Sequence, residues 1–268
     1  MENYQKEIAD YWQKVYSKKI GEYRPFEVSD EFKRFASIFA LGNSYMYIVN
    51  MHNFALEYVS DSVSQFVKKD IKDLTLQDLL LSVVPEELVV ISHKSKVVSD
   101  FYTRFLPKEE VMNYKNIFSY RMNDASGQLR TMLYQAFPLS VAENGTPENV
   151  FCIHTDVTHL KVGSTNSVSF IHMTGGKSYF NIDTTKGSFE MDNHGAADFS
   201  EMITEREKQI VIRFSRGLNA EQIAEELNLS PHTVKTHRRN VLSKSGCTNT
   251  TELVAKCLTS GIISPSLN

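Results

Sequence analysis

The spacing of apolar residues changes twice along the chain, from a helical period to a strand period and back. Residues 3–19 carry apolar side chains at helical spacing, and Ser29-Asp-Glu-Phe32 is predicted to start a second helix. Between Tyr45 and Val157 the apolar positions favour strands and short helices. Beyond residue 200 the helical period returns. The pattern therefore predicts an α+β fold in which an antiparallel sheet with flanking helices precedes an all-α C-terminal domain.

The central region is predicted to hold two strands, a helical middle, three longer strands and an additional hairpin. Pro85 and Pro107 mark breaks in the helical middle, and Gly175-Gly176 marks the turn of the hairpin. The predicted strands cover 45–50, 54–59, 115–124, 129–141 and 149–157, the helical segments cover 62–68, 75–82 and 86–105, and the hairpin covers 167–183.

The C-terminal part carries the start signals of four short helices. Thr204-Glu-Arg-Glu207 and Asn219-Ala-Glu-Gln222 have the form of capping boxes, Ser230 is suited to cap the third helix, and Asn249-Thr-Thr-Glu252 opens the fourth. The tight turn between the second and third helices predicts a helix-turn-helix from Ala220 to Arg239.

The third of these helices is cationic on one side and apolar on the other. Val234 and Val241 fall on one face, Lys235 and Arg239 fall on the opposite face, and residues 229–244 include no acidic residue. Reading of the DNA major groove requires a short helix of this kind. A solvated surface helix has the same pattern when it stands alone, so the three accompanying helices decide for DNA binding.

Residues 200–263 resemble the DNA-binding domain of LuxR/FixJ-type regulators. The resemblance rests on Ile203-Thr-Glu-Arg-Glu207, Gly217-Leu218, Ile223-Ala224, Leu227, Ser230 and Thr233-Val-Lys-Thr-His237. It implies that the third helix faces bases with Lys235, Thr236 and Arg239. It also implies phosphate or supporting contacts from Thr233, His237 and Lys244, and a dimer contact through the fourth helix. Ser245 and Cys247 stand where the family usually has aliphatic residues, which predicts a less tightly packed bundle.

The central region resembles a PAS domain over residues 43–161. The matching segments are Tyr58-Val-Ser-Asp-Ser-Val63, Tyr120-Arg-Met-Asn-Asp-Ala-Ser-Gly127, Phe137-Pro-Leu139 and Thr155-Asp-Val-Thr-His-Leu160. The resemblance implies a five-stranded antiparallel sheet whose concave face holds either a small ligand or a filled core. The candidate ligand-lining residues are Tyr47, Phe66, Phe118, Met132, Tyr134 and Cys152.

These patterns divide the chain into four predicted parts. They are N-terminal helices over 1–42, a PAS-like sensor domain with the extra hairpin over 43–183, a linker over 184–200 and a LuxR-type helix-turn-helix domain over 201–265.

Composition and charge support a regulator that contacts nucleic acid through one module. A chain of 268 residues with 41% hydrophobic content is long enough for two domains with cores of their own. Residues 203–263 carry a net charge of +3, whereas the rest carries −6. The three cysteines have no zinc-site spacing, which indicates free thiols. The polar N-terminus and the lack of a long apolar run predict a cytoplasmic protein with no signal peptide or membrane span.

Several other classes of protein fit the sequence less well. A phosphorylation receiver domain needs alternating parallel strands and helices, and the lactone-binding domains of quorum-sensing relatives use several tryptophans where this chain has only Trp12. We find no Ser-His-Asp order, no metal-spaced helix and no phosphate loop at Gly176-Lys177-Ser178, so we do not expect an enzyme. No metal or cofactor is predicted: His93 is a weak haem candidate, and the asparagine-cysteine motif of flavin-binding light sensors is absent.

The sequence therefore predicts a one-component transcriptional regulator. Its expected partners are double-stranded DNA, a second copy of the chain and a small-molecule effector, with RNA polymerase as a further candidate. The alternative hypothesis is a protein-interaction regulator whose PAS-like domain binds a partner protein instead of a small ligand.

Overall fold

In the computed structural model the chain consists of two structural units, and the boundary between them lies between Phe189 and Glu190. The structure describes residues 2–39, 42–190, 199–259 and 262–263. The last residues of the predicted linker therefore fall partly outside the described residues, as does the C-terminal end of the predicted LuxR-type domain.

The first unit contains four α-helices and seven strands among its described residues. The helices are α1 (Glu2–Val15), α2 (Asp30–Phe39), α3 (Leu76–Leu81) and α4 (Pro85–Asp100). The strands are β1 (Ser44–Asn50), β2 (Leu56–Val59), β3 (Tyr114–Asn123), β4 (Leu129–Val141), β5 (Pro147–Asp156), β6 (Ser167–His172) and β7 (Tyr179–Asp183). Each predicted strand is present within a few residues of its predicted bounds.

All seven strands form one antiparallel sheet in the order β2-β1-β5-β4-β3-β6-β7. Strand β5 lies between β1 and β4, although β1 and β5 are separated by about a hundred residues of sequence. The two early strands, the helical middle and the three later strands thus have the PAS-like arrangement that the sequence predicts. The fold class of a mixed chain with an antiparallel N-terminal sheet and a helical C-terminal part is confirmed.

The additional hairpin extends the sheet beyond β3 and closes a second hydrophobic core. Strand β6 pairs with β3, and Phe170 on β6 stacks on Phe101 with ring centroids 3.8 Å apart. Phe101 begins a short π-helical turn to Phe105, so the predicted helix 86–105 ends as α4 and changes its winding there. Phe189 packs on the same cluster, and the buried Thr184 is bonded to Asn166. Residues 184–189, predicted as linker, therefore belong to the first unit.

The N-terminal helices cover opposite sides of the sheet. Helix α1 packs on α3 and α4, and a 3₁₀ turn from Ser17 to Lys19 follows it, so the predicted helix 3–19 is divided. Helix α2 lies on the other face, where Phe32 meets Phe151 with ring centroids 5.1 Å apart. Both helices are therefore built into the first unit and do not form a separate N-terminal region.

The second unit contains a short helix α5 (Phe199–Met202) and the four predicted helices, α6 (Glu205–Ser215), α7 (Ala220–Leu227), α8 (Pro231–Ser245) and α9 (Thr250–Thr259). One core joins α6, α8 and α9 through Val211, Val241 and Leu253. A second core joins α6, α7 and α8 through Ile210, Ile223 and Val234. Helix α8 is thus held from both sides of its apolar face.

Ser245 is a polar residue in this packing, and its hydroxyl is fully used. The hydroxyl donates to the Leu242 carbonyl and accepts a bond from the Cys247 N–H, and Lys256 donates to the Ser245 carbonyl at 2.7 Å. Gly246 follows with φ 71°, the left-handed conformation that ends helices. The departure from the family pattern at Ser245 therefore closes the C-terminus of α8 and does not leave an unsatisfied polar group.

Among the residues that the structure describes, no helix is both long and apolar enough to cross a bilayer.

Candidate DNA-binding helix and candidate ligand cavity

A short turn joins α7 to α8. Asn228 ends α7 in the left-handed conformation with φ 52°, which asparagine tolerates better than most residues. Ser230 then caps α8 by accepting the Thr233 N–H at 3.0 Å, and Pro231 takes the first helical position. The cap predicted from sequence is therefore present, and three residues, Asn228 to Ser230, separate α7 from α8.

The burial of α8 follows its sequence pattern. Val234 and Val241 have no more than 1% of their surface exposed, whereas Lys235 and Arg239 are exposed. Thr236 and His237 are half-buried at the boundary between the two faces. The apolar face of α8 thus packs in both cores, and its cationic face is exposed to solvent.

Lys235 and Arg239, the two cations predicted to face bases, make few polar contacts with the rest of the described chain. Lys235 reaches Glu221 at 3.5 Å, and both side chains are more than 60% exposed. An exposed ion pair of this kind contributes about 0–1 kcal/mol, so Lys235 can exchange it for another anion at small cost. Within the described part of the chain, no ion pair or hydrogen bond engages the Arg239 guanidinium.

Lys244 has a different environment from these two cations. Its Nζ donates to both carboxylate oxygens of Glu207, at 3.0 and 2.8 Å, and Glu207 is 3% exposed. Burial opposes ionisation of Glu207, but the bonds from Lys244 and Thr204 outweigh it, so the pKa of this carboxyl lies below its ordinary value. Of the two roles predicted for Lys244, phosphate contact or support, the geometry favours support.

The hydroxyl groups of the two threonines are partly used inside the helix. Thr236 Oγ1 donates to the His232 carbonyl at 3.0 Å, and Thr233 Oγ1 lies 2.8 Å from Ser230 Oγ. A threonine whose proton is engaged in this way still has lone pairs that accept hydrogen bonds. Thr236 is therefore suited to accept a bond from a base amino group and to present its methyl group.

A cavity of about 140 Å³ lies in the first unit, between the concave face of the sheet and the helices. Side chains from β1, β3, β4 and β5 form its floor, α3 and α4 form one wall, and Trp12 and Tyr16 close it from the N-terminal segment. The lining is mostly apolar or aromatic. Ligand sites are typically cavities of this character with a few polar groups.

The polar groups at one side of this cavity form a hydrogen-bonded cluster around His154. Its Nδ1 lies 2.7 Å from the Tyr120 hydroxyl and its Nε2 lies 3.3 Å from the Tyr47 hydroxyl, while Tyr45 stacks on the ring. Burial lowers the pKa of His154 to about 3, so the imidazole is neutral at pH 7. Burial also raises the pKa of the Cys152 thiol to about 12. The cluster is therefore uncharged.

Four of the six candidate ligand-lining residues lie on the cavity, namely Tyr47, Phe118, Tyr134 and Cys152. Phe66 and Met132 belong to the adjoining core and do not line it. His93 is on α4 near Gly187, also away from the cavity lining.

The sequence analysis did not predict that the cavity is also lined by Trp12, Tyr16, Asn116 and His154. The period-two alternation of β3 places Asn116 on the same face as Phe118, so that residue had a usable signal.

Comparison with known proteins agrees with the helical geometry of the second unit. Residues 201–257 match the family model of bacterial regulatory proteins of the luxR family. Residues 201–257 form a LuxR-family domain. The predicted resemblance is confirmed for this part of the chain, and the helix-turn-helix of this LuxR-family domain is formed by α7 and α8.

The curated relatives share this LuxR-family domain and little else of their length. The transcriptional regulatory protein UhpA of Salmonella typhimurium is 43% identical over 58 residues, which are 22% of this chain and 30% of UhpA. MctR of Rhizobium johnstonii, also a transcriptional regulatory protein, is 32% identical over 93 residues, which are 34% of this chain and 42% of MctR. The chain thus covers less than half of either relative. The expectation of a regulator and not an enzyme agrees with their descriptions.

Solved structures with low sequence identity align with larger parts of the chain. A structure of the Vibrio cholerae VqmA dimer in the absence of target DNA is 14% identical, and the match covers 88% of this chain and 89% of that one, with a TM-score of 0.34. A PAS domain from Colwellia psychrerythraea is 18% identical and covers 48% of this chain and 99% of that one, with a TM-score of 0.35. The PAS-like description of the first unit rests on its own strand order and elements.

Proposed function

We propose that this chain is a sequence-specific DNA-binding transcriptional regulator that reads the major groove with α8 and responds to occupancy of the cavity in its PAS-like unit. The exposed cationic face of α8, opposite two fully buried valines, is the observation that carries the first part of this proposal. Lys235, Thr236 and Arg239 make the base contacts, and His237 and Thr233 contact the backbone.

Two copies of the chain bind one operator in this proposal. A single short helix contacts few base pairs, and helix-turn-helix proteins reach their specificity by pairing two half-sites about one helical turn apart. The basic charge of α8 is small in one subunit, so pairing also supplies the phosphate neutralisation that binding needs. The operator is therefore expected to be a pseudo-palindrome.

The cavity of the first unit supports the sensing part of the proposal. A ligand changes DNA affinity only if it binds the DNA-competent and the inactive arrangements with different affinity. The helix α1 closes the cavity with Trp12 and also packs on α4. An occupant of the cavity would therefore act on DNA affinity by changing the position of α1.

The DNA-binding part is tested by selecting genomic fragments with the full-length protein and measuring their binding to matched charge-reversal variants. Arg239→Glu is expected to abolish selective binding, whereas Lys208→Glu, the same charge change on α6, is expected to keep it. Among the described residues, Lys208 forms an ion pair with the exposed Glu205 alone, so its substitution is expected to change stability little. Equal binding by Arg239→Glu and the wild type would contradict the proposal and favour a regulator that acts through protein contacts.

A further inference from the structure

Asn116 is one of the residues that line the cavity, and its side-chain amide nitrogen has no hydrogen-bond partner within the described part of the chain. Asn116 is 3% exposed, and within the described part of the chain its Nδ2 is the buried side-chain atom left unsatisfied. An unpaired buried amide costs about 1–3 kcal/mol, and native proteins seldom keep one without a reason. The amide therefore indicates that the cavity has an occupant that accepts a hydrogen bond.

The pairing of the strands explains why the empty space lies next to this amide. Asn116 is opposite Ala136 on β4, Ala136 is opposite Cys152 on β5, and Cys152 is opposite Tyr47 on β1. The neighbouring row on the same face holds Phe118, Tyr134, His154 and Tyr45, all of which are aromatic. The small side chain of Ala136 thus leaves a hollow bounded by Asn116 on one side and by aromatic rings on another.

Several other polar groups of the cavity already have partners. The hydroxyls of Tyr47 and Tyr120 lie within hydrogen-bond distance of His154, and the Tyr134 hydroxyl lies 3.3 Å from the Cys152 sulfur. No acidic or basic side chain is found among the described residues that line the cavity, apart from the neutral His154. A charged ligand would lose its hydration without gaining a counter-charge, so the occupant is neutral.

The size of the cavity limits the occupant to a small molecule. Its volume of about 140 Å³ is close to that of engineered apolar protein cavities of about 150 Å³ that bind benzene. Aromatic lining on several sides favours a flat ring.

We infer that the cavity binds an uncharged organic molecule with a single ring and one hydrogen-bond-accepting oxygen, which takes its bond from Asn116 Nδ2. This inference rests on the proposed function in one respect: if the chain is a regulator, occupancy of the cavity is the signal that it senses. The binding itself can be measured without DNA.

The test compares probes of equal shape that differ in one group. Benzyl methyl ether has the acceptor oxygen, propylbenzene replaces that oxygen with a methylene, and phenylacetate is charged. Binding to the full-length protein is followed by calorimetry and by the fluorescence of Trp12, the chain's single tryptophan, which lines the cavity. The ether is expected to bind and phenylacetate is not. Binding of phenylacetate as tight as that of the ether would overturn the inference of a neutral ligand.

A substitution cycle assigns the hydrogen bond to Asn116. The ratio of ether affinity to propylbenzene affinity is expected to be about 10-fold lower in Asn116→Leu than in the wild type. This change corresponds to a loss of about 1.4 kcal/mol of binding free energy. The ratio is expected to stay unchanged in Tyr134→Phe, because the Tyr134 hydroxyl is engaged with Cys152. A ratio that falls in Tyr134→Phe and not in Asn116→Leu would overturn the assignment.

Two further measurements separate ligand binding from a structural role of Asn116. The unfolding midpoint of Asn116→Leu is expected to be no lower than that of the wild type, since no hydrogen bond is lost. Ala136→Leu, which fills the hollow, is expected to abolish binding of both uncharged probes. If neither probe binds the wild type at millimolar concentration, the cavity holds water only and the inference fails, while the DNA-binding test with Arg239→Glu is unaffected.

Discussion

Lys244 donates two hydrogen bonds to the buried carboxylate of Glu207 and so ties the end of α8 to the start of α6. The same carboxylate accepts the Thr204 N–H at 2.8 Å and completes the capping box of α6. One acidic side chain thus stabilises the start of α6 and holds the end of α8 in place. For Lys244, which the sequence predicts to make either a phosphate contact or a supporting contact, this geometry favours support.

Lys244→Met is expected to lower the stability of the second unit by roughly 3 kcal/mol, because it leaves a buried carboxylate without its counter-charge. Hydrogen exchange of the α6 and α8 amides in the full-length protein measures this change. The exposed Lys235→Met is the control and is expected to change protection by less than about 0.5 kcal/mol. Equal protection in the two variants would show that the Glu207 contact contributes little.

The contribution of Glu207 also has a defined direction with pH. Its pKa is lowered in the folded chain, so the folded state favours the ionised form more than the unfolded state does. The stabilisation is therefore present at neutral pH and is lost as pH falls through the folded-state pKa. The difference in α8 protection between wild type and Glu207→Gln is expected to shrink on acidification. A difference that does not depend on pH would contradict this account.

Arg239→Ala is expected to weaken binding to a selected operator by about 1–3 kcal/mol and to relax base preference at one position, as loss of a base contact does. Fluorescence anisotropy at one fixed salt concentration, with the operator and its single-base variants, measures both effects. If affinity falls equally for all sequences, Arg239 contacts phosphate and not a base.

Lys94 gives a second pH-dependent prediction, in the first unit. Its fully buried ammonium donates to the Ser119 carbonyl at 2.7 Å, and burial lowers its pKa to about 8. Because the unfolded value is near 10.5, the charged form costs stability below pH 8, and that cost disappears as pH rises towards the unfolded value.

The stability of the wild type relative to Lys94→Met is expected to rise by roughly 3 kcal/mol between about pH 8 and pH 10.5. Urea unfolding monitored by Trp12 fluorescence gives this difference, and the comparison cancels groups common to both chains. A relative stability that stays constant or falls over this range would contradict the buried position of the ammonium.

Phe170→Ala is expected to destabilise the first unit by about 3–5 kcal/mol, as large-to-small changes in cores do. Phe170 is fully buried against Phe101, so its loss opens a hole under the hairpin. Limited proteolysis of the 167–189 region and urea unfolding report the effect. Phe180→Ala, on the adjacent strand with a 59% exposed ring, is the matched control and is expected to leave both unchanged.

Local features of this protein were predictable because their causes lie within a few residues. Ser230 caps α8, Asn219 and Gln222 form a capping box, and Val234 is buried, all as the sequence indicates. A cap is a contact across three residues, and a helical face repeats every three or four. The strands were predictable for the same reason, from their period of two and their turn residues.

The sequence by itself therefore determined the order of helices and strands, the LuxR-family domain and the cationic face of α8. Only the tertiary structure decided which side chains surround the cavity, because strand pairing and helix packing bring together Trp12, Asn116 and Cys152, which lie 36 to 140 residues apart in sequence. It also decided that Lys244 supports the helix through Glu207, 37 residues away. Such contacts depend on the register of distant strands and the docking of helices, which no local spacing encodes.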